Sequence, residues 1–259
     1  MHNFIDVKNL IVGYNNKIIC KDINFQLKQG NVLCILGANG EGKSTLLKTL
    51  LGLQKAINGD IFIAGENITM MSLRQRANSL SYVPQHGQSG FSFSVLQMVI
   101  MGKAAQLGLF AQPNAKDCEK AHAILHELNI AHLGQKEYAN LSGGQKQLVL
   151  IARALMQNAD IIVLDEPTAS LDFYNQFHVI AILAKLKKLG KTIIFTTHHP
   201  DQAFEIADEV LMIKDGCMLC HGTTQNVMTE DILTKLYSTS ISIFEIEGKK
   251  ISYIKNIVT

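Results

Sequence analysis

No stretch of this chain reaches the roughly 18 apolar residues that a membrane span requires. The segment "SVLQMVIMG" is too short, and "LVLIARALM" carries Arg153. The first residues, "MHNFIDVKNLIVGY", lack the basic-then-apolar pattern of a secretory signal. These absences imply a cytosolic chain that needs a partner to supply any membrane span. A large net charge is missing too. The formal value of +2 is too small for electrostatics alone to draw the chain to nucleic acid. Nor is there a disulfide framework. The cysteines, at 20, 34, 118, 217 and 220, are scattered like the reduced thiols of a core. Cys217 and Cys220 form one CxxC before His221, but without a second pair or a suitable helix start neither metal nor redox chemistry is expected there. Internal repeats and low-complexity segments are also absent.

What is present is an ordinary globular balance. Across 259 residues, 47% are hydrophobic and 18% charged, enough for one large domain or two small ones. Short strands fill residues 1 to 36, among them "FIDVKNLIVGY" with rough alternation, "KDINFQLKQG" with clearer alternation, and "VLCIL". "STLLKTLLGL" reads as a helix ending near Gly52, and "GDIFIAGENI" as strand and turn. The middle changes character: "SVLQMVIMGKAAQLGLF", "AKDCEKAHAILHELNI" and "SGGQKQLVLIARALMQN" are helical. In the last, Leu148, Ile151, Ala152, Leu155 and Met156 recur on one apolar face. Then "IIVLDEP", a helix in "NQFHVIAILAKLKKLG", "KTIIFTTHH", "PDQAFEIADE" and "VLMIKDG" alternate strand with helix, which implies an α/β fold with a mostly parallel sheet. The tail holds a helix, "TEDILTKLY", and a hairpin, "ISIFEIEGKKISYIKNI". The expected division is a core at 1–88 and 157–222, a helical subdomain at 89–156 and a tail at 223–259.

The stretch "GANGEGKST" interrupts this apolar sequence directly after "VLCIL". Gly37, Gly42, Lys43 and Ser44 fit G-x-x-x-x-G-K-[ST], between a strand and a helix. Glycines let successive backbone N–H groups converge on one anion, and the helix points its positive end at the same place. Lys43 is then suited to neutralise terminal phosphates, and Ser44 to coordinate Mg²⁺. "IIVLDEP" runs a buried strand into Asp165 and Glu166. Such carboxylates emerge at the carboxyl edge of the sheet, where ligands of open α/β folds bind. Asp165 is assigned to the Mg²⁺ shell and Glu166 to the general base or water-orienting group. "TIIFTTHH" ends a third strand in His198, so three strand ends converge on one edge. His122 and His126 lie at i, i+4 but lack a third ligand, and are read as surface or packing residues.

"LSGGQKQ", residues 141 to 147, starts the amphipathic helix. By itself Ser142 could be a plain N-cap. Placed before "LDEP" and downstream of the phosphate loop, it makes the sequence resemble the ATP-binding cassette (ABC) transporter ATPases over residues 3 to about 222. The fold implied is a P-loop, RecA-like α/β core with an antiparallel β subdomain and an inserted helical subdomain. The resemblance implies that Tyr14 stacks on adenine and that Gly37 to Thr45, including Asn39, Gly40 and Thr45, form the Walker A loop. It implies that Gln85 links Mg²⁺ and the attacking water to the transporter groove. Leu141 to Gln145 match the signature, Ile161 to Glu166 match Walker B, Ser170 to Asp172 match the D-loop, and His198 is the switch histidine. It further implies ATP as ligand, with Mg²⁺. A head-to-tail homodimer is implied, in which Ser142, Gly143, Gly144 and Gln145 of one copy close over the nucleotide of the other.

The stretch after Gln85 looks like the importer branch for iron chelates, haem and vitamin B12, although Gly102-Lys103 and "AAQ" stand where relatives there commonly carry "GR" and a histidine-containing stretch. Manganese/zinc and molybdate/tungstate importers are the alternatives, and a soluble ATPase without transport is a further one. Two permease subunits, an indirectly contacted substrate-binding protein, and a position at the cytoplasmic face of the membrane follow from the resemblance. Phe91, Phe93, Val95 and Met98 are expected to line the permease groove or pack the helical subdomain. A DNA-repair or chromosome ATPase is disfavoured because only residues 86 to 140 separate Gln85 from the signature, with no sustained heptad.

Overall fold

The computed structural model describes residues 4–15, 17–85, 92–106, 112–169 and 171–255. The chain begins with β1 (Ile5–Tyr14), β2 (Lys17–Leu27), β3 (Val32–Leu36), α1 (Lys43–Leu50), β4 (Asn58–Ile63) and β5 (Glu66–Asn67). It continues through α2 (Leu73–Ser79), β6 (Leu80–Val83), α3 (Val95–Ile100), α4 (Ala115–Glu127), α5 (Gly143–Gln157), β7 (Ile161–Leu164) and α6 (Phe173–Lys188). It closes with β8 (Thr192–Thr197), α7 (Pro200–Ile206), β9 (Glu209–Lys214), β10 (Cys217–Thr223), α8 (Thr224–Val227), α9 (Glu230–Tyr237), β11 (Ile241–Ile246) and β12 (Lys249–Ile254). Residues 1–70 and 183–259 form one compact unit, and residues 71–182 form another.

In the first unit the strands lie in the order β5, β4, β1, β2, β10, β9, β3, β8. The central strands β9, β3 and β8 run parallel, whereas β1, β2 and β4 form an antiparallel ribbon. This is the expected α/β architecture with parallel pairing at its centre. β3 and β8 are buried along their whole length, as central strands of a two-sided sheet should be, although β8 carries threonines at both ends. The ribbon instead has one wet face, and in β2 Cys20, Ile23, Phe25 and Leu27 point inward. The alternation of β1 is only rough because Asn9, at φ 47°, sits in a register shift between Val7 and Leu10. The tail folds as α8, α9 and the β11–β12 hairpin, whose loop residues Glu247 and Gly248 both have positive φ. The last two residues of the expected hairpin stretch, Asn256 and Ile257, lie outside the described residues.

In the second unit β6 and β7 pair in parallel, and α3 and α4 pack on α5. The long helix expected over 94–110 is shorter. α3 ends at Ile100 and tightens into one 3₁₀ turn at Met101–Lys103, and residues 107–110 lie outside the described ones. The cause is Gly102, which lies so close to the α5 backbone that a Cβ would meet the Arg153 carbonyl oxygen at 2.2 Å. A glycine that permits this approach also weakens the helix. Among the described residues no helix is long and apolar enough to cross a membrane.

Glu209, the first residue of β9, joins three elements of the first unit. Its carboxylate accepts from Asn31 Nδ2 at 3.0 Å and lies 3.1 Å from His221 Nε2 on β10. The close approach of His221, chiefly, holds its pKa below the ordinary carboxylate value, against the effect of burial. A lowered folded-state pKa contributes stability above the unfolded carboxylate range, and that contribution is lost as pH falls through the folded value. Glu209→Gln is therefore expected to lower unfolding free energy by about 1–3 kcal/mol at neutral pH. Urea unfolding of both proteins across a pH series checks this, and the deficit should shrink below the carboxylate range.

Candidate functional site

In the first unit, β3 delivers the chain into Gly37, and the phosphate-loop sequence turns it into α1. Gly42 is the N-cap of α1 at φ 88°, with no side chain to cap it and no acid in the first turn. The contrast with α2, α3, α4 and α5 is sharp, because each of those is closed by a capping box. No carboxylate of its own first turn offsets the partial positive charge at the start of α1. A side chain at Gly42 would also collide, its Cβ lying 2.5 Å from Cys20 Sγ and 2.6 Å from Ile19 Cγ2. Lys43 is buried and its Nζ donates to the carbonyls of Gly37 and Ala38, both at 2.9 Å. The ammonium is thereby folded across the loop it serves. Asn39 and Gly40 are exposed, Ser44 is half-buried and Thr45 is buried. Tyr14, at the end of β1, is 47% exposed, so its ring is open for stacking.

The loop contains an acid whose placement the sequence did not explain. A carboxylate at Glu41 would repel an anion, but its Oε2 accepts from Gly216 N–H at 3.2 Å in the β9–β10 turn. The Cys20 thiol donates to the Glu41 carbonyl at 3.1 Å. Glu41 therefore fastens the loop to that turn. Its sequence signal was only its presence within a phosphate-binding motif, which says nothing of the turn that receives it.

The same unit places His198 beside this loop entry. β3 and β8 are paired in parallel with Leu36 opposite Thr197, so Gly37 and His198 each lie one residue beyond the paired ends. His198 is half-buried and His199 exposed, with ring centroids 4.0 Å apart. Thr197 Oγ1 donates to Gln202 Oε1 at 2.8 Å and accepts from His199 N–H at 3.1 Å, which fixes the exit of the strand.

In the second unit the β6–β7 pairing sets Val83 opposite Leu164, and Asp165 N–H donates to the Val83 carbonyl at 2.9 Å. The two strand ends accordingly deliver Gln85 and the Asp165-Glu166 pair to one edge. Gln85 Nε2 donates to Glu166 Oε2 at 3.3 Å. Asp165 is buried. Burial, with lesser contributions from Asp165, pushes the neighbouring Tyr82 phenol up to about 12, so it remains a hydroxyl toward that carboxylate. Glu166 has φ 43°, a left-handed conformation that costs energy in a residue with a side chain.

The signature residues also lie in the second unit, at the start of α5. Ser142 is the N-cap: its Oγ accepts from Gln145 N–H, while Gln145 Oε1 accepts from Ser142 N–H at 3.2 Å. The plain N-cap reading is thus physically realised here. Ser142 and Gly143 are exposed, whereas Gly144 is buried beneath Asn175. Asn175 is itself held by Asp172, with Nδ2 to Oδ2 at 2.8 Å. Ser170 of the expected D-loop and Phe91 of the expected groove lie outside the described residues. Of the other groove candidates, Val95 and Met98 are buried in the unit. Phe93 instead lines an apolar groove of about 490 Å³ with Gln97, Ile100, Met101 and Ala104.

Comparison with known proteins places these geometries in context. Residues 20–169 match the family model described as ABC transporter. The chain is 38% identical to the molybdate import ATP-binding protein MolC of Haemophilus influenzae, over 92% of this chain and 89% of that one. It is 36% identical to an iron chelatin transport ATP-binding protein of Helicobacter pylori, over 96% of this chain and 98% of that one. A solved metal-chelate type ABC transporter in an inward-facing conformation contains a chain 35% identical to this one. It superposes with a TM-score of 0.85, covering 97% of this chain and 96% of that one.

The geometry at Gly42 generates a direct test. Gly42→Ala combines a positive φ with two sub-van-der-Waals contacts and is expected to destabilise by about 1–3 kcal/mol. Thermal unfolding should show this, and a fluorescent ATP analogue should bind more weakly to the variant at temperatures where it remains folded.

Proposed function

Because this chain belongs to the ABC transporter family of ATP-binding, ATP-hydrolysing subunits, we propose that it powers a metal-chelate importer as a head-to-tail homodimer bound to two permease subunits. The observation that carries the hydrolytic part is the Gln85–Glu166 hydrogen bond beside buried Asp165. In that pair the amide fixes the orientation of one carboxylate. In this reading Glu166 accepts the proton of the attacking water, and Gln85 orients that carboxylate. Lys43 neutralises the terminal phosphates, the backbone of Gly37 to Thr45, with Asn39, Gly40 and Gly42, cradles them, and Tyr14 stacks on the base. His198 contacts the γ-phosphate region and is a catalytic residue with Glu166 and Gln85.

The hydroxyl of Ser44, the carboxylate of Asp165 and the amide oxygen of Gln85 are hard oxygen donors, a set suited to Mg²⁺. Mg²⁺, when bound, offsets negative charge on the β- and γ-phosphates. The exposed Ser142 and Gly143 at the head of α5 support a role in trans. There Ser142, Gly143, Gly144 and Gln145 meet the nucleotide of a second copy, which adds a helix N-terminus to the same polyanion.

The substrate reading rests on the relatives, one of which is named for iron chelatin transport, while the solved transporter is described as of metal-chelate type. The MolC relative gives specific support to molybdate as the second reading. The apolar groove along Phe93, Ile100 and Met101 suits a short apolar helix of a permease, which would hold the subunit at the cytoplasmic face of the membrane. In this reading the chain is one ATPase domain, with residues 89–156 as the signature-bearing helical subdomain. Purifying the chain with its permease and measuring which ligand stimulates ATP turnover and vesicle uptake tests the assignment. Turnover that no permease or ligand alters would point to an ATPase without transport.

Glu166→Gln is expected to retain ATP binding, trap a stable dimer on size exclusion, and lose roughly 10²–10⁴ in turnover. Normal hydrolysis by that variant would remove Glu166 from the base role. Met101→Glu, at a half-exposed groove position, should abolish co-purification with the permease while ATP binding by the isolated subunit persists.

A further inference from the structure

The tail is fastened to the segment that carries His198. Tyr237, the last residue of α9, donates its hydroxyl to the His198 carbonyl at 2.9 Å across 39 residues of sequence. The hairpin holds the following helix at two more points. Asp201 Oδ1 accepts from the Ser252 N–H at 2.8 Å and from its hydroxyl at 2.7 Å. Lys249 Nζ lies 2.9 and 3.1 Å from the two carboxylate oxygens of Glu205. Both Asp201 and Glu205 are on α7, which starts two residues after His198. All of these residues belong to the first unit.

The His198 peptide needs such support. It leaves β8 at the last paired position and enters α7 through His199, an N-cap with no side-chain capping bond. Thr197 fixes the amide side through its bond to His199 N–H, but that contact lies within the same short turn. The Tyr237 hydroxyl ties the His198 carbonyl to a distant element. Burial pushes the Tyr237 phenol well above its ordinary range, so it stays protonated and remains a donor at neutral pH. A peptide held at both its carbonyl and its N–H restricts the directions the adjoining side chain can take, and a misplacement of about 1 Å can cost a reaction as much as 10² in rate.

We propose that the C-terminal tail is a strap that sets the position of His198, with Tyr237 as the positioning residue and the Asp201–Ser252 and Glu205–Lys249 contacts as its anchors on α7. The proposal rests on the catalytic assignment of His198 made above. Tyr237 touches no nucleotide in this reading, and acts only through the peptide that presents the imidazole.

The test compares Tyr237→Phe and His198→Ala in the full chain, measuring kcat, KM for ATP and the thermal midpoint. Tyr237→Phe keeps the ring and removes one hydrogen bond, and kcat is expected to fall about two- to tenfold. KM for ATP should change less than twofold, because the phosphate loop and Tyr14 are untouched; a general loosening of the fold would move both. His198→Ala should abolish most turnover. An unchanged kcat in Tyr237→Phe beside an inactive His198→Ala overturns the strap and leaves the catalytic assignment standing. An active His198→Ala overturns that assignment and the strap with it. Should Tyr237→Phe fail to fold, the surface double variant Lys249→Ala/Ser252→Ala decides: a kcat-only fall supports the strap and an unchanged kcat overturns it.

Discussion

The arrangement depends first on parallel backbone pairing. A parallel ladder sends neighbouring strands out at the same edge, so residues that follow the paired segments become neighbours regardless of their separation in sequence. Leu36 opposite Thr197 sets Gly37 beside His198 in one unit, and Val83 opposite Leu164 sets Gln85 beside Asp165 and Glu166 in the other. β3, β7 and β8 can do this because they are buried along their whole length, which leaves their ends as the first places where charged chemistry can sit. A slip of one residue in either ladder would separate each pair.

Electrostatics then distinguish one helix terminus from the rest. Four helices close their own N-termini with capping boxes, whereas α1 begins at a glycine with no acid in its first turn. The one carboxylate within the phosphate loop, Glu41, is drawn off by the Gly216 amide. The signature helix is intermediate in kind. Its head is capped, yet Ser142 and Gly143 remain at the surface, held by the two reciprocal bonds of the capping box, each of modest net worth, about 1 kcal/mol. Glu166 holds a left-handed backbone at φ 43°, a conformation that costs energy in a residue with a side chain.

Much of this was legible in the sequence because the motifs couple composition to local geometry. The strand and helix that flank the glycine loop, the strand that runs into Asp165, the helix that follows Ser142 and the strand that ends before His198 all appear where residue pattern placed them. Elements with mixed patterns did not declare themselves. α2 has no buried residue and carries two arginines, and β10 is only partly buried, so neither has a periodicity to find. The helix expected after Ser94 was read too long because its apolar run continues through Gly102. That glycine is set by contact with Arg153, a residue 51 positions away. Val95 and Met98 were equally apolar whether they faced a groove or a core, and only packing distinguished them from Phe93.

By itself the sequence determined which chemical groups exist and at what local spacing: a glycine loop before a helix, carboxylates after an apolar strand, a histidine after another. These follow from backbone sterics and hydrophobic periodicity, which act over a few residues. The tertiary structure decided which of those groups meet. Glu41 with Gly216, Gln85 with Glu166, Asn175 over Gly144 and Tyr237 on the His198 carbonyl are contacts across long sequence separations. No local pattern encodes them, because each depends on the register of a ladder or on the docking of one element against another.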